Sequence, residues 1–479
     1  MKHVIPLSAL IVFLLITVCP SLAKQEQSDT TYKLQGVVVN ATKEERDVSL
    51  TPSGTTLDLG EYQTVGSPQN VLDVLKQSPT VDFRQASDLA PAEDGVQMRG
   101  FGLRKFVIAM DELTMQKIGG FWGAHKKDFS AIPLAQIKEI EIIPGPHSTL
   151  YPGRAIGGVI NLTTRSLKRW DTLKPDAKLM TSYGTYDTRN HLARVDGGYE
   201  ALNYGLSYRD YSTDGYLRNN AADIDTIAGR VGLLLPSDGF VRLSGSHTDK
   251  LREIPVKNDP SRADYDSDYP VVKDKTASYA ANQDPRREKD MNLVRLDAEQ
   301  PSPWGNWKLG ISRKYEDQVY KFDPDHLQGR PSSAEDATTD WLTWQGKLQN
   351  DFSLGNHDLT LGVDAARLFM EDNGEDQERE RTYAAYVQDE WRILPTLTLK
   401  AGLRYDYQTI WWNNQKIAGP NEGDYCIEPN KEELEKDYSQ LVPKSFLTYE
   451  LDNWADVLRD TSISFGVSRI WTPREYCSV

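Results

Sequence analysis

The sequence predicts a mainly β chain, a small mixed α/β unit followed by a transmembrane antiparallel β-barrel. Three observations carry this. From Lys178 onward apolar and polar residues alternate with period two, in runs of about ten to fifteen residues, the length a tilted strand needs to cross a bilayer. Along the same stretch short turns at 236–239, 303–306, 354–356 and 394–396 alternate with long polar links at 250–289, 316–339 and 412–439. Before it, residues 132–165 hold two alternating apolar runs around Pro144-Gly145-Pro146 and a second glycine-rich turn, which reads as strand, tight turn, short helical piece, strand.

Composition narrows the partners. A chain of 479 residues accommodates two or three ordinary domains, or one small domain and one large barrel. A formal charge of -15 leaves no basic patch to neutralise phosphates, so nucleic acid is not an expected partner. The 23 Tyr and 11 Trp fit the core of a soluble β protein or the interfacial girdles of a membrane barrel. A mean hydropathy of -0.56 fits both, because lipid-facing and lumen-facing residues cancel along a barrel strand. Runs such as 359–365 and 397–406 exceed the strands of about five to six residues usual in soluble sheets.

The N-terminus reads as an export signal. Met1-Lys2-His3 precedes an apolar run from Val4 to Val18 and the small-residue site Ser21-Leu22-Ala23, so the mature chain is expected to begin at Lys24. Cys19 falls in the discarded piece, and Cys426 and Cys477 either pair or stay free. After this signal no segment reaches the roughly 18 unbroken apolar residues of a spanning helix.

Residues 24–31 are polar and lead into the β-branched run Val37, Val38, Val39, Asn40, Ala41, Thr42. Read plainly, this begins an ordinary strand; placed after a flexible leader, it is suited to adding itself to the sheet edge of another protein. Residues 70–81 put Val71, Leu72, Val74 and Leu75 on one helical face ending at Pro79. In the 132–165 unit Gly157-Gly158 admits a turn that a Cβ would obstruct.

Ile140, Glu141, Ile142, Gly145, Pro146, Ser148, Leu150, Tyr151, Ala155, Gly157, Gly158, Val159, Ile160, Asn161 and Thr164 together resemble the end of the plug domain of TonB-dependent outer-membrane receptors. The 70–81, 96–102 and 107–111 segments resemble earlier parts of the same plug, and 383–391 with 403–406 resembles a frequent barrel signature of the family. The resemblance implies a periplasmic segment 24–50 carrying a TonB box at 37–42, a plug at 51–165 and a barrel at 166–479, in the outer membrane of a Gram-negative bacterium and in contact with its lipid. It also implies plug arginines locked to barrel carboxylates, here Arg99 with Glu390. The second locking arginine is replaced by Glu139, so the lock is expected to be weaker or differently built. The Asp-Gly turn of the family reads Asp111-Glu112 here, so that turn must differ locally. The family closes its barrel with about 22 strands, whereas about thirteen alternating runs can be traced here; the sequence is therefore expected to be a truncated product or a fragment, with an incomplete barrel.

No nucleophile constellation, nucleotide-binding glycine pattern or zinc spacing stands out, so no enzymatic activity and no required cofactor are expected. Asp264, Asp266 and Asp268 alternate in a long loop; they are either a solvated acidic face or three oxygen ligands for Ca²⁺. Phe121, Trp122 and His125 lie where the family's plug loops contact ligand, or simply pack an apical loop. The resemblance implies active import of a scarce small metal chelate, with a ferric siderophore as the default and cobalamin or haem as runners-up. Energy would come from TonB with ExbB and ExbD. A remnant or a surface-binding or signalling receptor without transport is the alternative.

Overall fold

A computed structural model of the protein describes residues 54–59, 71–75, 78, 81–83, 96–101, 105–115, 117–118, 129, 132–273, 285–321, 337–372, 374–413, 433–451 and 461–471, all within the compact unit Val39–Val479. The box at 37–42, the loop with Phe121, Trp122 and His125, and the three cysteines lie outside the described residues.

The small unit is built on a five-stranded sheet of order β1-β6-β7-β4-β5, where β1 is Thr55–Asp58, β4 Phe106–Met110, β5 Leu113–Thr114, β6 Ile137–Pro144 and β7 Gly158–Thr164. A separate pair joins β2 (Val81–Phe83) to β3 (Val96–Met98). Helix α1 (Val71–Leu75) buries Val71, Leu72, Val74 and Leu75, the face its spacing predicts, in a core with Ile140, Ile142, Ile160 and Leu162. β4 runs parallel to β7 with Ile108 beside Ile160. The short helical piece expected before β7 does not form: residues 146–157 are turns and bends, because Pro146, Pro152 and Gly153 interrupt any helical hydrogen bonding. Gly158 has φ of 135°, and a Cβ there would lie 2.1 Å from the Ile143 carbonyl oxygen, so the β6–β7 crossing requires glycine.

Thirteen antiparallel strands follow in strict chain order: β8 (Asp176–Tyr183), β9 (Arg189–Tyr199), β10 (Leu202–Thr213), β11 (Ala222–Leu234), β12 (Phe240–Glu253), β13 (Arg286–Ser302), β14 (Gly305–Lys321), β15 (Ala337–Leu354), β16 (His357–Asp372), β17 (Glu375–Leu394), β18 (Leu397–Asn413), β19 (Glu433–Glu450) and β20 (Ser462–Ser468). The alternation is as the sequence predicts. Leu361, Val363, Leu403 and Tyr405 face outward and exposed, while Arg404 and Asp406 face inward and buried. Short turns fall between β11 and β12, β13 and β14, β15 and β16, and β17 and β18. Among the described residues β8 and β20 each pair on one side only, so the sheet has two open edges. No helix among the described residues is long and apolar enough to cross a membrane.

Candidate functional site

The inner face of the large sheet is polar, and the rim of the small unit meets it. Gln136 donates to Ser207 on β10, Arg404 on β18 donates to the Leu150 carbonyl, and Lys444 on β19 donates to the Ser148 carbonyl. One small unit reaches the same face of strands so far apart in sheet order only if the wall curves round it.

The turn joining β4 to β5 is the centre of this contact. Asp111 and Glu112 occupy its two middle positions with φ of 44° and 61°, a left-handed pair that glycine normally supplies. The strain is offset locally. The Glu112 amide donates to Asn161 Oδ1 at 3.0 Å, and Asp111 accepts from the amide and the hydroxyl of Thr164, both at 2.8 Å. The strained turn aims both carboxylates at the wall. Arg242 on β12 donates to Asp111 Oδ2 at 2.7 Å, and Arg295 on β13 lies 3.7 Å from the same oxygen while donating to the Met110 carbonyl at 2.7 Å. Asp297 bridges the two arginines at 3.2 and 2.6 Å. Glu112 takes Lys347 of β15 at 3.1 Å and Lys308 of β14 at 3.5 Å. Burial alone would raise the Glu112 carboxyl, but the two lysines outweigh it and hold it at about 2.

A second anchor has the opposite polarity. Lys117 of the small unit reaches Glu316 on β14 at 2.6 Å and lies 3.6 Å above the Trp341 ring. Lys289 and Lys314 close on the same carboxylate at 3.4 and 3.0 Å. Burial lowers the Lys117 ammonium and Glu316 restores part of the loss, leaving it at about 8. A third contact is steric and neutral. Thr149 donates to Gln388 on β17 at 2.9 Å and sits over Gly402 of β18, where a Cβ would come within 2.0 Å of its hydroxyl.

These anchors are not the residues the sequence singled out. Arg99 is exposed, with φ of 52°, and its guanidinium lies beside Gly145 and His147. Glu390 stands opposite Lys400 in the β17–β18 register. The ion pairs that join Asp111, Glu112 and Lys117 to the wall involve neither Arg99 nor Glu390. The polarity is reversed at the main turn, where the small unit brings acids and the wall brings bases. One signal pointed there, the Glu112 that replaces glycine. The cations at inward positions of the predicted strands, Arg242, Arg295, Lys308 and Lys347, were its unread counterpart.

The acidic loop organises itself. Asp264 is held by Arg262 at 2.8 Å, and Asp266 accepts from the Asp268 amide at 3.0 Å. Asn258 donates to the carbonyls of Asp266, Tyr269 and Pro270. Among the described residues no three His, Cys, Asp or Glu side chains are placed to hold a metal ion.

Residues 51–159 match the TonB-dependent receptor plug domain, and residues 305–453 match an outer membrane beta barrel domain. Among solved structures the chain is similar to the copper transporter OprC, at 15% identity and a TM-score of 0.66, covering 88% of this chain and 65% of that one. It is also similar to the ferric-catecholate import receptor Fiu from E. coli in its closed form (15%, TM-score 0.61, 84% and 64%) and to the ferric yersiniabactin uptake receptor FyuA from Yersinia pestis (13%, TM-score 0.61, 84% and 62%). At these identities the likeness is one of fold, and the chain spans less than two thirds of the length of each of these receptors. A plug domain seated by ion pairs on the polar inner face of an outer-membrane strand sheet, with both parts matched by family, makes this chain a member of the TonB-dependent outer-membrane receptors, which are transport receptors and not enzymes.

Proposed function

We propose that this receptor imports a scarce metal chelate, a ferric siderophore in the first instance, with force delivered by TonB and the ExbB–ExbD complex through the box at 37–42. Residues 1–23 serve as its export signal, 24–50 as its periplasmic segment, 51–165 as the plug and 166–479 as the barrel wall. The supporting observation is the seating of the plug, whose turns reach β10, β12, β13, β14, β15, β17, β18 and β19 on one inner face. A plug in that position obstructs any path along the wall. Moving it means breaking buried ion pairs at about 3–5 kcal/mol each when one partner is lost, which calls for an energy source.

The test is uptake of ⁵⁵Fe-loaded catecholate and hydroxamate siderophores by cells that lack their own outer-membrane iron receptors and express this chain, with and without TonB. Uptake that requires TonB and is lost in Val39→Pro supports the reading. Surface retention without uptake supports the second reading, a binding or signalling receptor. Neither uptake nor retention of any chelate overturns both.

A further inference from the structure

We propose that the outer face of β14–β17 carries a docking site for the phosphate headgroup of a membrane lipid, built on Arg313, Arg367 and Arg381. The site requires that the wall lie in a membrane and is independent of the chelate imported.

The three arginines belong to one cross-strand row. Arg313 stands in register with Trp344, Trp344 with Arg367, and Arg367 with Arg381. Their chain neighbours Ser312, Leu368 and Glu380 are buried on the inner face, so the row points outward. Arg367 and Arg381 are exposed and directly opposite, about 5 Å apart at the backbone, an arrangement of like charges that costs stability unless an anion lies between them. Among the described residues none of the three forms an ion pair. The flanking carboxylates have donors of their own, Asp340 accepting from Tyr315 and Asp437 from Thr409, both at 2.7 Å. Asp317 and Glu371 lie four residues further along β14 and β16, about 13 Å away. The Arg313 guanidinium lies 5.7 Å from the Trp344 ring centre and that of Arg367 4.6 Å from Phe369. A guanidinium stacked on a ring keeps its N–H edge free, and that edge fits two phosphate oxygens at once.

Height and surroundings select a lipid over a free anion. Arg367 is ten residues beyond His357 at the start of β16, which is about 33 Å of strand and about 25 Å of height at a tilt of about 40°. An outer-membrane apolar band is about 25 Å tall, so the row sits at its far border, where headgroups lie. The next outward row toward the short turns reads Ile311, Gly346, Ala365, Tyr383. Ile311 and Tyr383 are exposed, and a Cβ on Gly346 would meet nothing nearer than 3.8 Å, so Gly346 and Ala365 floor a shallow slot between two larger side chains. An acyl chain below a phosphate held by Arg367 and Arg381 lies along this slot. A free phosphate would use the arginines and leave the slot empty.

The experiment is native mass spectrometry of the full chain released from detergent micelles and titrated with dioleoyl phosphatidic acid. Dioleoylglycerol, which has the chains without the phosphate, and inorganic phosphate, which has no chains, are titrated separately. Saturable one-to-one binding of phosphatidic acid is expected, about tenfold or more tighter than that of dioleoylglycerol and not displaced by equimolar inorganic phosphate. Affinity should fall about tenfold in Arg367→Gln and in Arg381→Gln, and below detection when the two are combined. Both variants remove an exposed like-charge contact and are expected to fold. Ala365→Trp, which fills the slot, should weaken phosphatidic acid by about threefold. Arg392→Gln removes the same charge at the short-turn end, where Arg392 pairs with Asp358, and should leave affinity unchanged. The proposal is overturned by no saturable binding of phosphatidic acid, or by equal binding of dioleoylglycerol. Displacement by equimolar inorganic phosphate overturns it in favour of a plain anion site, and an equal loss in Arg392→Gln in favour of net charge alone.

Discussion

The five-stranded and thirteen-stranded sheets use the same residue types with the faces exchanged. β6 and β7 bury Ile140, Ile142, Ile160 and Leu162 against α1, while β16 and β18 expose Leu361, Val363, Leu403 and Tyr405 and bury Arg404 and Asp406. The surroundings make the difference: the small unit needs an apolar interior of its own, whereas a strand between lipid and a wet lumen needs an apolar exterior. The two regions therefore meet polar face to polar rim. A joint made of ion pairs and hydrogen bonds can open without exposing either apolar surface.

Substitutions that exchange these logics should separate the two regions. The largest loss is expected for Glu316→Gln, which leaves Lys117, Lys289 and Lys314 without their shared carboxylate; breaking a buried pair costs about 3–5 kcal/mol. Hydrogen exchange of the β6 and β7 amides reads it as loss of plug protection. Next is Ile140→Ala, a fully buried core truncation worth about 2–5 kcal/mol, whereas Val363→Ala on the outer face should change stability in detergent by less than about 1 kcal/mol. Equal costs for the two would erase the distinction drawn here. Gly402→Ala pushes a Cβ against Thr149 and should loosen the plug by about 1–3 kcal/mol without disturbing the strand pairing, seen as lowered plug protection with unchanged exchange in β17 and β18.

The smallest effect depends on pH. Burial raises the Glu141 carboxyl of β6 from 4.5 to about 7, with the nearby Glu112 and Glu139 adding to the rise and the Asn161 side chain opposing it. The folded plug thus holds a proton that the unfolded chain releases. The contribution is full below 4.5 and lost as pH rises through 7. Glu112 acts in the other direction, but below 4.5, and Lys117 acts only above 8; His147, whose imidazole burial holds below 6.5, opposes Glu141 within the interval, so the Glu141 share is the part that Glu141→Gln removes. Glu141→Gln should remove the fall in plug stability across that interval, as followed by urea unfolding at pH 5 and pH 8. An unchanged slope would place the titration elsewhere.

Much of this architecture was legible in the residues. The period-two alternation told which side of β16 and β18 faces lipid, the short turns marked one end of the wall, and Gly157-Gly158 located the crossing into β7. The joint was legible only in part. Periodicity assigns a side chain to a face but not to a partner across space, so Arg242, Arg295 and Lys347 read as lumen-facing charges with no hint that they converge on one turn. The family's lock, with its plug arginines, pointed to Arg99. The departure that mattered was Glu112, where a missing glycine meant that a strained turn carried two carboxylates outward. The helical piece before β7 failed for a simpler reason, its prolines.

The most direct test is a double-mutant cycle between Glu112 and Lys347, with Glu112→Gln, Lys347→Met and the two combined, reading the urea concentration at which the β6 and β7 amides lose protection. If the acidic turn holds the plug to the wall, the double variant loses less than the sum of the single ones, with a coupling of about 1–3 kcal/mol that shrinks as salt rises. Strictly additive losses, insensitive to salt, would contradict the account and leave the plug seated by shape alone.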